Sequence, residues 1–344
     1  MRRDPYNGEV YYKHTGRKML KDRGHLFIRE YEDGTVAIIE KLQEHAVSGI
    51  AGYQGAVRQW LSQKTPAPDD PLKVQALEEL FVDSHVALIY GAAGTGKSTM
   101  VSLLANYFNG HEKLFLAHTN PAVDNLKRRV NAQHSTFRTI SSQAGRHDTT
   151  EYDVLVIDES STVSNADLLK VLERTSFKLL VLVGDVFQIE SIQFGNWFGL
   201  ARSFVPSSAA FELTTPFRTK NADLLDLWST VRELKDDIAE TLARNGYSKV
   251  LDQSLFQPQR DDEIILCLNY DGLYGINNVN RFLQSSNPGA ATTWGALTYK
   301  VGDPVLFNET DVSGHSSTTT SRARLSPSRR FPAASSSTCR WIGR

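Results

Sequence analysis

From residue 72 onward the chain alternates between short runs in which every position is apolar and longer stretches with apolar residues at helical spacing. The runs at 86–90, 114–117, 154–157 and 179–183 carry no polar face. A strand apolar on both sides must be covered on both sides, which predicts an α/β domain with a buried parallel sheet. The pattern before residue 72 is different. Residues 25–31 and 36–40 flank Glu32-Asp33-Gly34-Thr35, and Asp-Gly favours a tight primed turn, so a β-hairpin is expected there. With Val10-Tyr11-Tyr12 upstream, 1–64 reads as a small β-rich N-terminal module, with a helix near 53–63. Residues 65–71 hold three prolines, cannot continue a helix, and read as a linker. The α/β domain then spans 72–215 and a further region spans 216–311, with a long helix over 221–244, a strand over 264–268 and a β segment over 297–307.

Composition narrows this little. The hydrophobic share of 40% is ordinary, no apolar run approaches the roughly eighteen residues of a membrane span, and Met1-Arg2-Arg3-Asp4-Pro5 lacks an apolar leader. Cys267 and Cys339 are the only cysteines, so a disulfide framework is not supported and a cytoplasmic location is expected. The net charge of -1 neither favours nor opposes nucleic acid, because a groove needs only a local basic lining. The tail, 312–344, departs from the rest: 13 of its 33 residues are Ser or Thr and six are Arg, with no Asp or Glu. It reads as a disordered extension, as a basic arm, or as out-of-frame sequence.

The chemistry begins at Gly91-Ala92-Ala93-Gly94-Thr95-Gly96-Lys97-Ser98, directly after the first apolar run and followed by Thr99 and a helical pattern. This is the phosphate-loop pattern: glycines let backbone N–H groups face the phosphates, and the helix N-terminus adds positive potential. Lys97 is expected to reach the β- and γ-phosphates of ATP and Ser98 to ligate Mg2+. At the end of the third run stand Asp158 and Glu159, the first placed to hold Mg2+ through water and the second to deprotonate the attacking water. After the fourth run, Gly184-Asp185-Val186-Phe187-Gln188 offers a neutral amide, Gln188, as a γ-phosphate sensor.

These three loops, in this order, resemble motifs I, II and III of superfamily 1 DNA and RNA helicases. The segment 117–126 is similar to motif Ia in its 5′→3′ branch, superfamily 1B; 139–142 is similar to motif Ib; Pro216-Phe217-Arg218-Thr219 is similar to motif IV. The resemblance implies a RecA-like ATPase domain 1A over 72–215 and a partial second RecA-like motor domain over 216–311, where Leu268-Asn269-Tyr270, 276–280 and 302–305 look RecD-like. It implies that Arg218 reaches the γ-phosphate and that Gln75 reads the adenine edge. Single-stranded nucleic acid, DNA ahead of RNA, would be the partner, with Thr119, Asn120 and Ser141 as candidate contacts. Phe187, Trp197 and Phe198 are candidate stacking residues that could equally be core. The proline pair many relatives carry after the glutamine is absent, and no motif V or VI is found, which points to a truncated motor. Two alternatives stay open: an ATP-binding fragment without productive turnover, and a PhoH-like nucleic-acid-linked ATPase.

Overall fold

The computed structural model describes residues 16–64, 68, 70–146, 149–188, 191–248, 265–294, 297–306 and 322–324. The chain divides into two compact units at Lys235/Asp236. The first opens with an antiparallel pair, β1 (Met19–Asp22) and β2 (His25–Ile28), followed by α1 (Arg29–His45), α2 (Tyr53–Ser62) and α3 (Pro71–Glu79). Strand and helix then alternate: β3 (Val86–Gly91), α4 (Lys97–Tyr107), β4 (Lys113–Ala117), α5 (Asn120–Val130), β5 (Ser135–Thr139), α6 (Ile140–Ala144) and β6 (Glu151–Ile157). After these come α7 (Asn165–Arg174), β7 (Ser176–Gly184), α8 (Trp197–Ala201), β8 (Ala210–Leu213) and α9 (Ala222–Arg232).

Strands β3 to β8 form one sheet in the order β5-β4-β6-β7-β3-β8, with every pairing parallel. The period-two alternation of side chains splits the apolar runs into two cores. Ala87, Ile89, Val154, Val156, Val181 and Val183 face α2, α3, α4 and α5. Val86, Leu88, Leu155, Ile157, Leu180 and Leu182 face α1, α6, α7 and α8. The result is a three-layer RecA-like α/β fold, as the runs without a polar face required. Chain order reverses beside β3, whose crossover through α4 leads to β4 on the far side of β7 and β6. Ligands bind at such switch points, outside the carboxyl ends of the strands.

Three differences from the sequence reading have physical causes. The N-terminal hairpin lies at 19–28, and residues 29–45 are helical. Ile38, Ile39 and Leu42 there recur at helical spacing and are buried on the sheet. Gly34, read as a turn residue, lies inside α1 against Asn165, whose amide donates to the Tyr31 carbonyl and the Thr35 hydroxyl. Helices α1 and α2 therefore contribute to the cores of the same sheet as the 72–215 segment. Strands β5 and β8 were not anticipated: both are sheet edges, with sequences STFRT and AFEL that mix polar and apolar residues. The long helix expected over 221–244 is interrupted after α9, where Leu234 takes φ 51.

The second unit contains α10 (Ile238–Arg244), α11 (Ile276–Ser285), a hairpin of β9 (Ala291–Trp294) with β10 (Leu297–Lys300), and β11 (Pro304–Leu306) paired antiparallel with β12 (Arg322–Arg324). Buried Asp303 organises it, accepting from the side chains of Gln284 and Asn287 and from the Lys300 backbone. Residues 265–268 are not a strand. The N-terminal strand candidate at 10–12, Phe307 and the tail apart from 322–324 lie outside the described residues. Among the described residues no helix is long and apolar enough to cross a membrane.

Candidate functional site

At the carboxyl edge of the sheet a cleft of about 620 Å³ is lined by Lys97, Ser98, Asp158, Glu159, Gln188 and Arg218, together with the phosphate-loop backbone and one flank of α5. Residues from 97 to 218 thus meet around one space.

The floor is backbone. Gly94 and Gly96 take φ of +88 and +89, a region L side chains rarely enter. A Cβ at Gly94 would stand 2.8 Å from Arg218 Cβ, and one at Gly96 would stand 2.7 Å from Lys73 Cε. Torsion therefore requires glycine at both positions, and at Gly94 space requires it as well, whereas the Lys73 atom at Gly96 is the end of a flexible side chain. Helix α4 begins at Lys97, so its first N–H groups open toward the cleft. Lys97 Nζ donates to the carbonyls of Gly91 and Ala92 at 2.7 and 3.1 Å. Thr95 is buried, its hydroxyl donating to the Ala92 carbonyl.

The wall comes from strand ends. Asp158 accepts from the Glu159 N–H at 3.0 Å. Glu159 itself sits in the left-handed region, φ 54 and ψ 41, before a short 3-10 turn at Ser160–Thr162; a non-glycine residue held there carries about 1–3 kcal/mol of strain. Burial raises the Asp158 pKa above its ordinary value; the hydrogen bond from the Glu159 N–H opposes this, as do Lys97 and Arg129, while the Glu159 charge adds to it. Burial also lowers the Lys97 pKa, against the pull of Asp185 and Asp158. The site thus holds desolvated charges of both signs whose cost a bound ligand can relieve.

The rim depends on polar ties that sequence reasoning missed. Phe217 N–H donates to the Gly94 carbonyl at 2.8 Å, and its ring lies under Lys73 Nζ at 3.9 Å. Lys73 is buried and paired with Asp70, which also caps α3 by accepting from Leu72 N–H. Asp70-Pro71, read as linker, is a helix N-cap followed by proline, a signal that was present in the sequence. Around Gln188, Asp185 accepts from Phe187 N–H and pairs with Arg232 of α9 at 3.2 Å. The Arg232 guanidinium lies 4.1 Å from the centroid of the exposed Phe187 ring. Trp197 and Phe198 are fully buried core residues and cannot stack on a ligand.

Not every candidate reaches the cleft. Gln75 is not among its lining residues; it lies on the exposed face of α3 with its amide on Glu79, because helical spacing turns Lys73, Ala76 and Leu77 inward. Thr119 caps α5 by accepting from Ala122 N–H, and Asn120 and Ser141 are exposed at the ends of β4 and β5. These three stand along the same sheet edge, outside the cleft wall. Arg129, which no motif flagged, lines the cleft and donates to the Ser98 hydroxyl at 3.0 Å.

The AAA domain family matches residues 72–253. The chain belongs to this family. Membership in the AAA domain family upholds the superfamily 1 helicase-type resemblance drawn from the motif order. No curated protein matches the sequence. Among solved structures, Bacteroides Pif1 bound to single-stranded DNA matches at 16% identity and a TM-score of 0.43, over 65% of this chain and 62% of that one. Pif1 helicase from Candida albicans matches at 18% identity and a TM-score of 0.41, over 76% and 66%. The chain thus spans less than two thirds of the length of either Pif1.

A divalent cation fits the donor set. Ser98 offers a hydroxyl and Asp158 a desolvated carboxylate in one cleft, hard oxygen donors of the kind Mg2+ shares with phosphates. The cradle beside them holds Gly94 and Gly96 at positive φ, a backbone whose N–H groups suit phosphate oxygens.

Proposed function

We propose that this chain is an ATP-hydrolysing motor core that moves on single-stranded nucleic acid, DNA in preference to RNA and in the 5′→3′ direction. The observation that carries the reading is the convergence of Lys97, Ser98, Asp158, Glu159, Gln188 and Arg218 on one cleft. In this reading the loop from Gly91 to Thr99 cradles the phosphates and Lys97 exchanges its two carbonyl partners for phosphate oxygens. Ser98 and Asp158 hold Mg2+, which when bound neutralises phosphate charge. Glu159, exposed and pinned by its backbone, takes the proton of the attacking water, and Gln188 orients that water by hydrogen bonding. Arg218 stabilises charge developing on the transferred phosphoryl group.

Coupling to movement follows from the ties around Phe217 and Arg232. A ligand that draws Arg218 inward pulls on Phe217 and so on the phosphate loop. One that engages Gln188 loads the turn that Arg232 anchors to α9. Thr119, Asn120 and Ser141 are the proposed contacts to the sugar-phosphate backbone, which supplies most of the affinity in such tracks.

The test is ATP hydrolysis with and without single-stranded DNA or RNA. Glu159→Gln is expected to keep nucleotide binding while hydrolysis falls about 10²–10⁴-fold, and Lys97→Ala is expected to lose both. DNA is expected to stimulate more than RNA. ATP binding without any hydrolysis in the unmodified chain would identify a non-hydrolysing fragment instead, and equal loss of binding and hydrolysis in Glu159→Gln would remove that residue from the role of base.

A further inference from the structure

Arg129 stands where a cation is expected and belongs to none of the motifs that built the site. It lies in the last turn of α5 with Lys127 and Arg128, exposed, between the buried Leu126 and Val130. That helix is fixed against α4: Leu126 and Val130 bury in the same core as Met100 and Leu104, and the Ser102 hydroxyl reaches the Val130 carbonyl at 3.4 Å. Ser98 lies one helical turn before Ser102, which brings Arg129 Nη1 to 3.0 Å from the Ser98 hydroxyl. Among the described residues Arg129 forms no ion pair, in contrast to Arg232, which pairs with Asp185 and Glu212. Beyond the Ser98 hydroxyl, its guanidinium keeps N–H donors for an anion.

We propose that Arg129 is a stand-in counter-ion for nucleotide phosphates, binding them when no divalent metal is present and withdrawing from Ser98 when one is. The inference rests on the nucleotide reading of the cleft. A hydroxyl oxygen that accepts from a guanidinium cannot also serve a metal beside that positive charge, so the two uses of Ser98 exclude each other. The planar fork of arginine matches a phosphate in two parallel hydrogen bonds, and the phosphate loop lies on the same cleft wall. By linkage, a group that favours the metal-free nucleotide and opposes the metal lowers the dependence of nucleotide binding on Mg2+. A helix-end arginine that merely complements the helix dipole would have no such selectivity.

The experiment is equilibrium binding of a fluorescent ADP to the full chain, in EDTA and in excess Mg2+, for the unmodified protein, Arg129→Ala and Arg129→Gln. Both variants are expected to weaken binding in EDTA about tenfold or more, the size of one hydrogen bond to a charged group. Binding in Mg2+ is expected to be unchanged or tighter. Arg129 is exposed, and equal melting temperatures without nucleotide will show that the variants are folded. An unchanged ratio of the two affinities overturns the inference and leaves the reading of the cleft intact. Failure of the unmodified chain to bind in either buffer overturns the reading, and the inference with it.

Discussion

The two edges of the central sheet use their polar groups differently. At the amino edge each group is closed on a local partner. Ser84 donates to the Val86 carbonyl and accepts from its N–H; the fully buried Lys113 donates to the carbonyls of Phe108, Asn109 and His111; Asp153 pairs with Lys178 at 2.8 Å. At the carboxyl edge Lys97 and Asp158 are desolvated in opposite senses, and Glu159 is held in a costly conformation beside them. The same strands supply both ends, so the difference is not one of fold. It marks the edge whose charges are arranged for something other than each other.

The comparison makes separable claims. The largest effect is expected at the carboxyl rim: Arg218→Ala should lower hydrolysis about 10³–10⁵-fold while chemical denaturation stays unchanged. A comparable loss of stability would show that Arg218 is structural and break the contrast. At the amino edge the reverse is expected. Lys113→Met leaves buried carbonyls without their donor and should cost about 1–3 kcal/mol of stability, seen as a lower denaturation midpoint, with nucleotide affinity retained. The smallest effect concerns His45, at the end of α1 beside Phe177. Burial lowers its pKa below 6.5, with His85 and Lys41 acting in the same sense and Glu44 opposing. The unfolded chain then binds the extra proton first, so stability is full above pH 6.5 and falls as the pH drops toward the folded value. His45→Gln should flatten that decline in melting temperature without altering the pH dependence of nucleotide binding.

What could be read from the sequence follows the same division. The four central strands were legible because burial on both faces leaves no polar position in the runs 86–90, 114–117, 154–157 and 179–183. The edge strands β5 and β8 were not, since most of their positions are only partly buried and their residues mix polar with apolar, as loops do. The floor of the cleft was legible because phosphate binding restricts it to glycines at fixed spacing. Its rim was legible only through resemblance: nothing local to 216–219 announces that Phe217 bonds to Gly94 or that Lys73 lies over its ring. Arg129 and Arg232 were silent because each acts through a partner more than 30 positions distant in sequence. The helix in place of the 25–40 hairpin shows a tertiary contact, Asn165 against Tyr31 and Thr35, prevailing over a turn-forming dipeptide.

The backbone of Glu159 carries a further implication. A glycine at that position would relax into φ 54 at no steric cost, so the Glu159→Gly chain is expected to melt higher while losing catalysis. On the proposed role of Glu159, a chain made more heat-resistant at this position would be an idle one, and a selection for thermal tolerance alone would be free to discard its engine.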